Sequence, residues 1–591
     1  MSMTNSVKPL ELENILDPRL ESMKPSQDKL KWGIFKGCEN QNFVQQQANS
    51  YSTSGVNWNF NTQSETVLID RRMYAQVQFE VSLTGTAPLG LPLLNDETDA
   101  PRAFPLASVT NSLRVTINGG SVQCQYDDAL QALLRYNADF NLFDHDLSQT
   151  PNFLDNCQEY GDMVGSVRNP LSNYFNDSYK QGRGAFRIDS LVNPQSPDAG
   201  ITPITAVVKF TVVEPLLISP MLYNAGDLQS GLLGVKNMGV SFNFKAGKLE
   251  RVWSHANNPG ITITNVNVAV GPGSTESPKL LVNYLNPPLI DIGEQPREIV
   301  YQYYKNDVYV NDMNTTLAPN ASQTFTNNAI QLSTVPKSIY IYACLPDSAK
   351  TFETTDSFFR INSLSLQFLN VSGQFSTMSE HDLYNMSVKN GLKMTWNEFH
   401  GTTQAYSSGD ITGLTGAVLR IDVDDLAIPS NLASGVNVNS QLSYTINLTN
   451  VNQTNNKAVQ LVTVLVYDGI MTIADGSMIT QVGVIDQYDV VKTREQGNWV
   501  DYKSAQSLYG GDFFAKLKSL AKSAHSGLRK ACKLDKMFSG GANAGGAIVG
   551  GSAPKRCPKG SRKACKPKGG ELVSAHGGRS LTRAELKEML D

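Results

Sequence analysis

Few residue groupings in this chain have the types and spacing that chemistry needs. Six histidines are scattered over 591 residues, and none stands in the H-E-x-x-H spacing that sets two imidazoles around a zinc ion. Asp144-His145-Asp146 offers three metal-ligating side chains in a row, but it sits in a polar stretch and reads as a solvated loop. Asp422, Asp424 and Asp425 lack the glycine and glutamate of a calcium loop and read as the end of a strand. Gly271-Pro272-Gly273 with Lys279 lacks the adjacent Gly-Lys-Ser/Thr of a phosphate-binding loop, and no Gly-x-Ser-x-Gly elbow occurs. No catalytic, cofactor-binding or metal-binding residue is assigned, and a non-enzymatic role without a cofactor is expected. Seven separated cysteines (38, 124, 157, 344, 532, 557 and 565) have neither zinc spacing nor an even count, which points to reduced thiols.

Charge is the stronger signal. Residues 512–591 carry 17 Lys and Arg against 6 Asp and Glu, a net of +11, so the remainder carries 33 against 48, a net of −15. An acidic body with a basic end suits contact with nucleic acid, a membrane or an acidic partner. Lys516, Lys518, Lys522, Arg529 and Lys530 lie between Phe513, Phe514, Leu517, Leu520, Ala521, Ala524 and Leu528, the pattern of a basic amphipathic helix. A Gly/Ala linker, Gly540–Gly551, follows. Then Lys555, Arg556, Lys559, Arg562, Lys563, Lys566 and Lys568 form a cluster without an acid, able to neutralise phosphates, to meet a membrane or to stay solvated.

The acidic body reads as strands. Charged residues are only 18%, and Asn, Ser, Thr, Gly and Val abound, so many strands joined by polar turns are expected. Asn111–Asn118 places Leu113, Val115 and Ile117 at alternate positions. The pattern returns 251 positions later, at Asn362–Asn370, with Leu364, Leu366 and Phe368. Each copy runs into a glycine (Gly120, Gly373) and then a short helical segment, around Asp127–Tyr136 and around Leu383 and Met386. A strand, turn and helix recurring at this distance point to two copies of one domain. Seven or eight strands per half match a jelly roll. The expected division is an arm at 1–60, a first roll at 61–286 with a long loop at 139–202, a second roll at 287–491 and an extension at 492–591. Met1–Leu10 lacks the apolar core of a secretory signal, and no apolar run reaches membrane-spanning length, so an intracellular setting is expected.

This layout, over about residues 60–490, resembles the double jelly-roll major capsid proteins of adenovirus-like, virophage and polinton-like viruses. The resemblance rests on the repeated strand, the strand count and the near absence of helix. It implies an all-β fold of two tandem eight-stranded jelly rolls, with short helices after a central strand and a flexible basic C-terminal tail. It implies a homotrimer forming a pseudo-hexagonal capsomer in the virion, beside neighbouring capsomers, penton and minor capsid proteins. The tail would touch viral DNA or an inner membrane. Viruses of this group often carry a cysteine protease that cuts in the pattern (Met/Ile/Leu)-X-Gly-Gly-X. Leu508-Tyr509-Gly510-Gly511-Asp512 fits it at the junction of body and tail, and Ile548-Val549-Gly550-Gly551-Ser552 is a second match. The competing readings are a carbohydrate-binding or carbohydrate-active β-sandwich protein and a minor capsid or spike protein.

Overall fold

A computed structural model describes residues 11–16, 31–36, 40–64, 67–95, 98–126, 129–136, 150–163, 187–221, 231–271, 277–286, 298–369, 371–405, 408–428, 432–474, 476–483, 571–573 and 580–582. The chain clusters into two compact units. One, chiefly residues 34–428 and 438–482, contains both strand sets described below. The other is described only in short segments, among them a hairpin of Glu571–Val573 with Ser580–Thr582.

The first set is β1 (Asn40–Gln47), β2 (Gly55–Asn61), β3 (Tyr74–Thr86), β4 (Thr110–Ile117), β5 (Gly120–Gln125), β6 (Ile204–Pro215), β7 (Asn237–Phe244), β8 (Thr262–Val270) and β9 (Lys279–Asn286). β8 and β9 pair with successive stretches of β3, so they form one interrupted strand. One sheet runs β1-β9/β8-β3-β6 and the facing one β2-β7-β4-β5, all antiparallel. That order over eight strands is a jelly roll.

The second set repeats it. Its strands are β10 (Glu298–Leu317), β11 (Ser322–Thr326), β12 (Ile330–Thr334), β13 (Ser338–Cys344), β14 (Arg360–Phe368), β15 (Val371–Gln374), β16 (Val418–Asp422), β17 (Asn437–Thr449) and β18 (Lys457–Ala474), with β19 (Ser477–Val482) added beside β18. One sheet runs β10-β18-β13-β16; the other sets β11 and β12 against β17, then β14 and β15. Every position has its counterpart, so the chain is a double jelly roll. The repeated segment found in the sequence is β4 and β14, the same strand of each roll.

Alternation builds the cores. In β3, Ala75, Val77, Phe79, Val81 and Leu83 are fully buried while their neighbours, Gln78 apart, stay partly exposed. Leu113, Val115 and Ile117 of β4, and Leu364, Leu366 and Phe368 of β14, are likewise buried. Burying each such side chain contributes about 1.5–3 kcal/mol before the cost of ordering it. Helices are short: α1 (Pro105–Ser108), α2 (Leu130–Leu133), α3 (Glu380–Lys389) and α4 (Trp396–His400). The last two begin at capping boxes, Ser379 with Asp382 and Thr395 with Glu398.

Three expectations are corrected. The arm does not reach residue 60: β1 and β2 belong to the first roll, and Val56 and Trp58 of β2 lie in its core. The loop at 139–202 is not structureless throughout, because Arg187–Val192 is an edge strand on β6. The helix around Asp127–Tyr136 shrinks to the four residues of α2. Asp422 ends β16 and accepts a hydrogen bond from Ser338, a strand end as read from the sequence.

The joint between the two rolls as candidate functional site

Strand direction fixes which loops share an end. The β3–β4, β5–β6 and β7–β8 connections of the first roll leave from one end, called here the loop end. The matching loops of the second roll, β13–β14, β15–β16 and β17–β18, meet them there.

Arg102, in the β3–β4 connection, is wholly buried. Its Nη1 reaches Asp356 at 2.9 Å and Asp155 at 3.5 Å; Nη2 donates to the Thr354 carbonyl at 3.0 Å and Nε to the Arg251 carbonyl at 2.8 Å. Arg251 binds the other oxygen of Asp356 at 2.5 Å and donates to Thr354 Oγ1 and the Thr351 carbonyl, each at 2.9 Å. Asp155 accepts from Tyr160 Oη and from the Asp356 amide, both at 2.9 Å. Two guanidinium groups thus face two carboxylates. Burial pushes the Asp356 carboxyl up, but Arg102 and Arg251 outweigh it and hold it below the ordinary carboxylate range. Burial and repulsion by Arg102 lower Arg251, with Asp356 opposing.

Gln158 sits beside this network. Its Nε2 donates to the carbonyls of Leu414 (2.7 Å), Phe358 (2.9 Å) and Thr415 (3.1 Å). Its Oε1 accepts from Lys457 Nζ at 2.8 Å. Lys457 also donates to Ser357 Oγ at 3.2 Å. Burial lowers the Lys457 amine to about 8, against the attraction of Glu159 and Asp162. Tyr136 Oη donates to the Val418 carbonyl at 2.5 Å, and its ring packs edge-on to Tyr340.

At the opposite end the bond is apolar. β10 and β18 run on past β13, and Tyr301, Tyr303, Met471, Ile473 and Met478 join the first roll's core. Tyr301 Oη accepts from the Leu233 amide at 2.9 Å, and the Arg71 guanidinium lies over its ring. Gly120 must be glycine here: a Cβ would stand 2.3 Å from the Met478 carbonyl oxygen.

The charged residues of this joint were not singled out in the sequence. The available signal was Arg102 inside Ala100-Pro101-Arg102-Ala103-Phe104, a charge within an apolar run. The residues that were singled out lie elsewhere. Gly510, Gly511, Asp512, Gly550, Gly551, Ser552 and the basic residues from Lys516 to Lys568 fall outside the described residues, as does Asp144-His145-Asp146. Cys124, Cys157 and Cys344 are buried free thiols; the other four cysteines lie outside. Among the described residues no three His, Cys, Asp or Glu gather as a metal site, and no helix is long and apolar enough to cross a membrane.

Comparison with known proteins follows this architecture. The family model "Sputnik virophage major capsid protein 1st domain" matches residues 16–285, and "Major capsid protein V20 C-terminal domain" matches 306–469. The putative capsid protein V20 of Sputnik virophage is 30% identical over the full length of both chains. A chain of the Sputnik virophage cryo-EM structure is 28% identical, with a TM-score of 0.69 over 83% of this chain and 96% of that one. The mavirus major capsid protein is 15% identical, with a TM-score of 0.62 over 76% and 92%, and shares the fold.

Two outcomes test the joint. Asp356→Ala leaves two buried guanidinium groups short of a partner and should lower stability by about 3–5 kcal/mol, read as a fall in the calorimetric transition. Lys457 holds fewer protons folded than unfolded between about 8 and its ordinary 10.5. Its contribution is complete above the upper value and is lost as pH falls through the lower one. Stability should therefore rise with pH across that window, and Lys457→Met should flatten the rise in denaturant melts.

Proposed function

This chain belongs to the virophage major capsid protein family, whose members form the capsid shell of the virion, and on that premise we propose that it works as a trimer. Three copies of two like rolls approximate six-fold symmetry and tile an icosahedral shell as pseudo-hexagonal capsomers. The observation that carries this reading is that the two rolls point the same way, with the longest connection of each, β5–β6 and β15–β16, at one end. A hexagonal outline needs that shared polarity.

An exposed apolar patch supplies the contact between copies. The β3–β4 loop and the end of the 139–202 segment are tied by Gly90 to Ser196 and by Ser196 to Leu91, at 3.0 and 2.9 Å. Leu91 and Ile201, exposed by 50% and 80%, stand on this patch with Leu89. Side chains this apolar and this exposed, gathered on one surface, mark an interaction site.

The rest of the reading concerns the tail. The described body ends at β19, at the end opposite the long loops, and Asn40 of β1 starts from that same end. Loops outward and chain ends inward would set the +11 tail against packaged nucleic acid or an inner membrane. Proteolysis after Gly511, with Gly551 as second site, would free the tail at maturation. Penton and minor capsid proteins would fill the remaining positions of the shell. A minor capsid or spike protein with a single roll does not fit the two rolls found.

Negative-stain electron microscopy of the full-length chain should show three-fold particles of hexagonal outline; uniform monomers would overturn the reading. Leu91→Asp with Ile201→Asp should shift the population to monomers, while monomer stability changes by only about 0.5 kcal/mol per surface site. For the tail, mass spectrometry of mature virions should find residues ending at Gly511, and Gly511→Val should leave the chain intact. Intact wild-type chain in mature particles would exclude processing.

A further inference from the structure

One sheet of each roll is almost without charge. In the second roll it is the sheet of β11, β12, β17, β14 and β15, where Arg360 at the start of β14 is the one charged residue. In the first roll it is the sheet of β2, β7, β4 and β5, where Arg114 is the one charged residue. We propose that the outer faces of these two sheets are docking sides, each seated against such a face on another copy of this chain in a neighbouring capsomer. The inference rests on the capsomer reading above and names the surface by which capsomers join.

On the second roll the outward side chains are hydroxyls and amides in register. Thr324, Asn447 and Ser363 form one row across β11, β17 and β14, and Thr326, Thr445 and Ser365 form the next. All six are exposed or half-buried. The roll does not lack charges to place here. Its facing sheet carries Lys305, Asp307 and Asp312 on β10, and Arg420 and Asp422 on β16. That sheet is also less open: every residue of β13 is buried, and Tyr136 of the first roll packs on Tyr340. Arg360 stands at the loop-end rim of the uncharged face, held by Glu380 at 2.6 Å. The first roll repeats the pattern with different residues: Asn59, Gly239 and Thr116 in one row, and Asn57, Ser241 and Arg114 in the next.

Self-complementarity selects the occupant. Depletion of charge is the compositional mark of an interface core. Here it comes without a large apolar patch, so a capsomer stays soluble before it docks. When a surface meets its own kind, a charge risks facing a like charge, which is costly. A hydroxyl or a carboxamide both donates and accepts, so it pairs with its own kind in any register. A capsomer of two kinds of roll has two kinds of side, and a closed shell brings them together in more than one combination. Uncharged faces admit every combination, and Arg114 finds carbonyl and hydroxyl oxygens on any of them. The rows are also set in advance by their own bonds: Asn447 Nδ2 donates to Thr324 Oγ1 at 2.8 Å, and the hydroxyls of Thr326 and Thr445 stand 3.2 Å apart. Little side-chain freedom is then lost on docking.

The test places like charges on the second face. Thr445→Asp/Ser365→Asp and Thr445→Lys/Ser365→Lys are made in the full-length chain and followed by sedimentation velocity with negative-stain microscopy. Wild-type trimers should associate side to side as concentration rises. Each charged variant should still form trimers but need at least about tenfold more protein to associate. Mixing the two variants should restore association between them, a gain that misfolding cannot produce. Wild-type trimers that never associate would hand the faces to a different partner and overturn the inference. So would an Asp variant that associates as wild type does, or a mixture no better than its parts; each of these leaves the trimer standing. Uniform monomers would fail the trimer reading instead, and charge-sensitive pairing of those monomers would still support the faces.

Discussion

Four charged side chains share one dry space, and the double roll depends on their meeting there. Arg102 and Arg251 come from the first roll's loops, Asp155 from its long insertion and Asp356 from the second roll. Taking such charges from water costs several kcal/mol each, and their mutual attraction returns roughly that amount. The network therefore adds little net stability. Its contribution is positional: any other seating of the loops leaves a buried charge without a partner. Apolar contact is non-directional, so Tyr301, Met471, Ile473 and Met478 bind the rolls firmly but choose no single register. One end of the joint holds and the other aligns.

The two rolls have diverged where they touch. In the first, the long connection after β5 carries Asp155, Gln158 and Tyr160 into the joint. In the second, the equivalent connection forms α3 and α4, anchored by Glu380, and meets the joint with the backbone carbonyls of Leu414 and Thr415. That carboxylate takes Arg360 at 2.6 Å and His400 Nδ1 at 2.9 Å.

Alternation made the sheets readable, since a half-buried strand must place apolar residues at every second position. Leu113, Val115 and Ile117 reported their burial directly. β1 was missed for the same reason inverted. It is an edge strand, paired among the described residues only with β9, and its Asn-Gln-Asn-Phe-Val-Gln-Gln-Gln sequence has little to bury, with Phe43 mostly exposed. The joint was illegible because Arg102 and Asp356 stand 254 positions apart. Nothing local to either residue names the other; only the topology brings them together. Gly120 was noticed as the end of a strand, but the reason for it, the Met478 carbonyl, lies in the other roll.

Tyr301, Ile473 and Met478 in the first roll's core set a timetable for synthesis. The ribosome finishes the first roll's own strands at Asn286, yet the side chains that seal its core end at Met478, near the finish of the second. At bacterial to eukaryotic rates of about 5–20 residues per second, the interval is on the order of ten to forty seconds. During it the nascent first roll has an open apolar flank and no aligned loops. A chain still on the ribosome is therefore an incomplete building block, and competence to join a shell arrives only with the last strands. Truncated products, which would poison a growing lattice, lack the part that makes them fit.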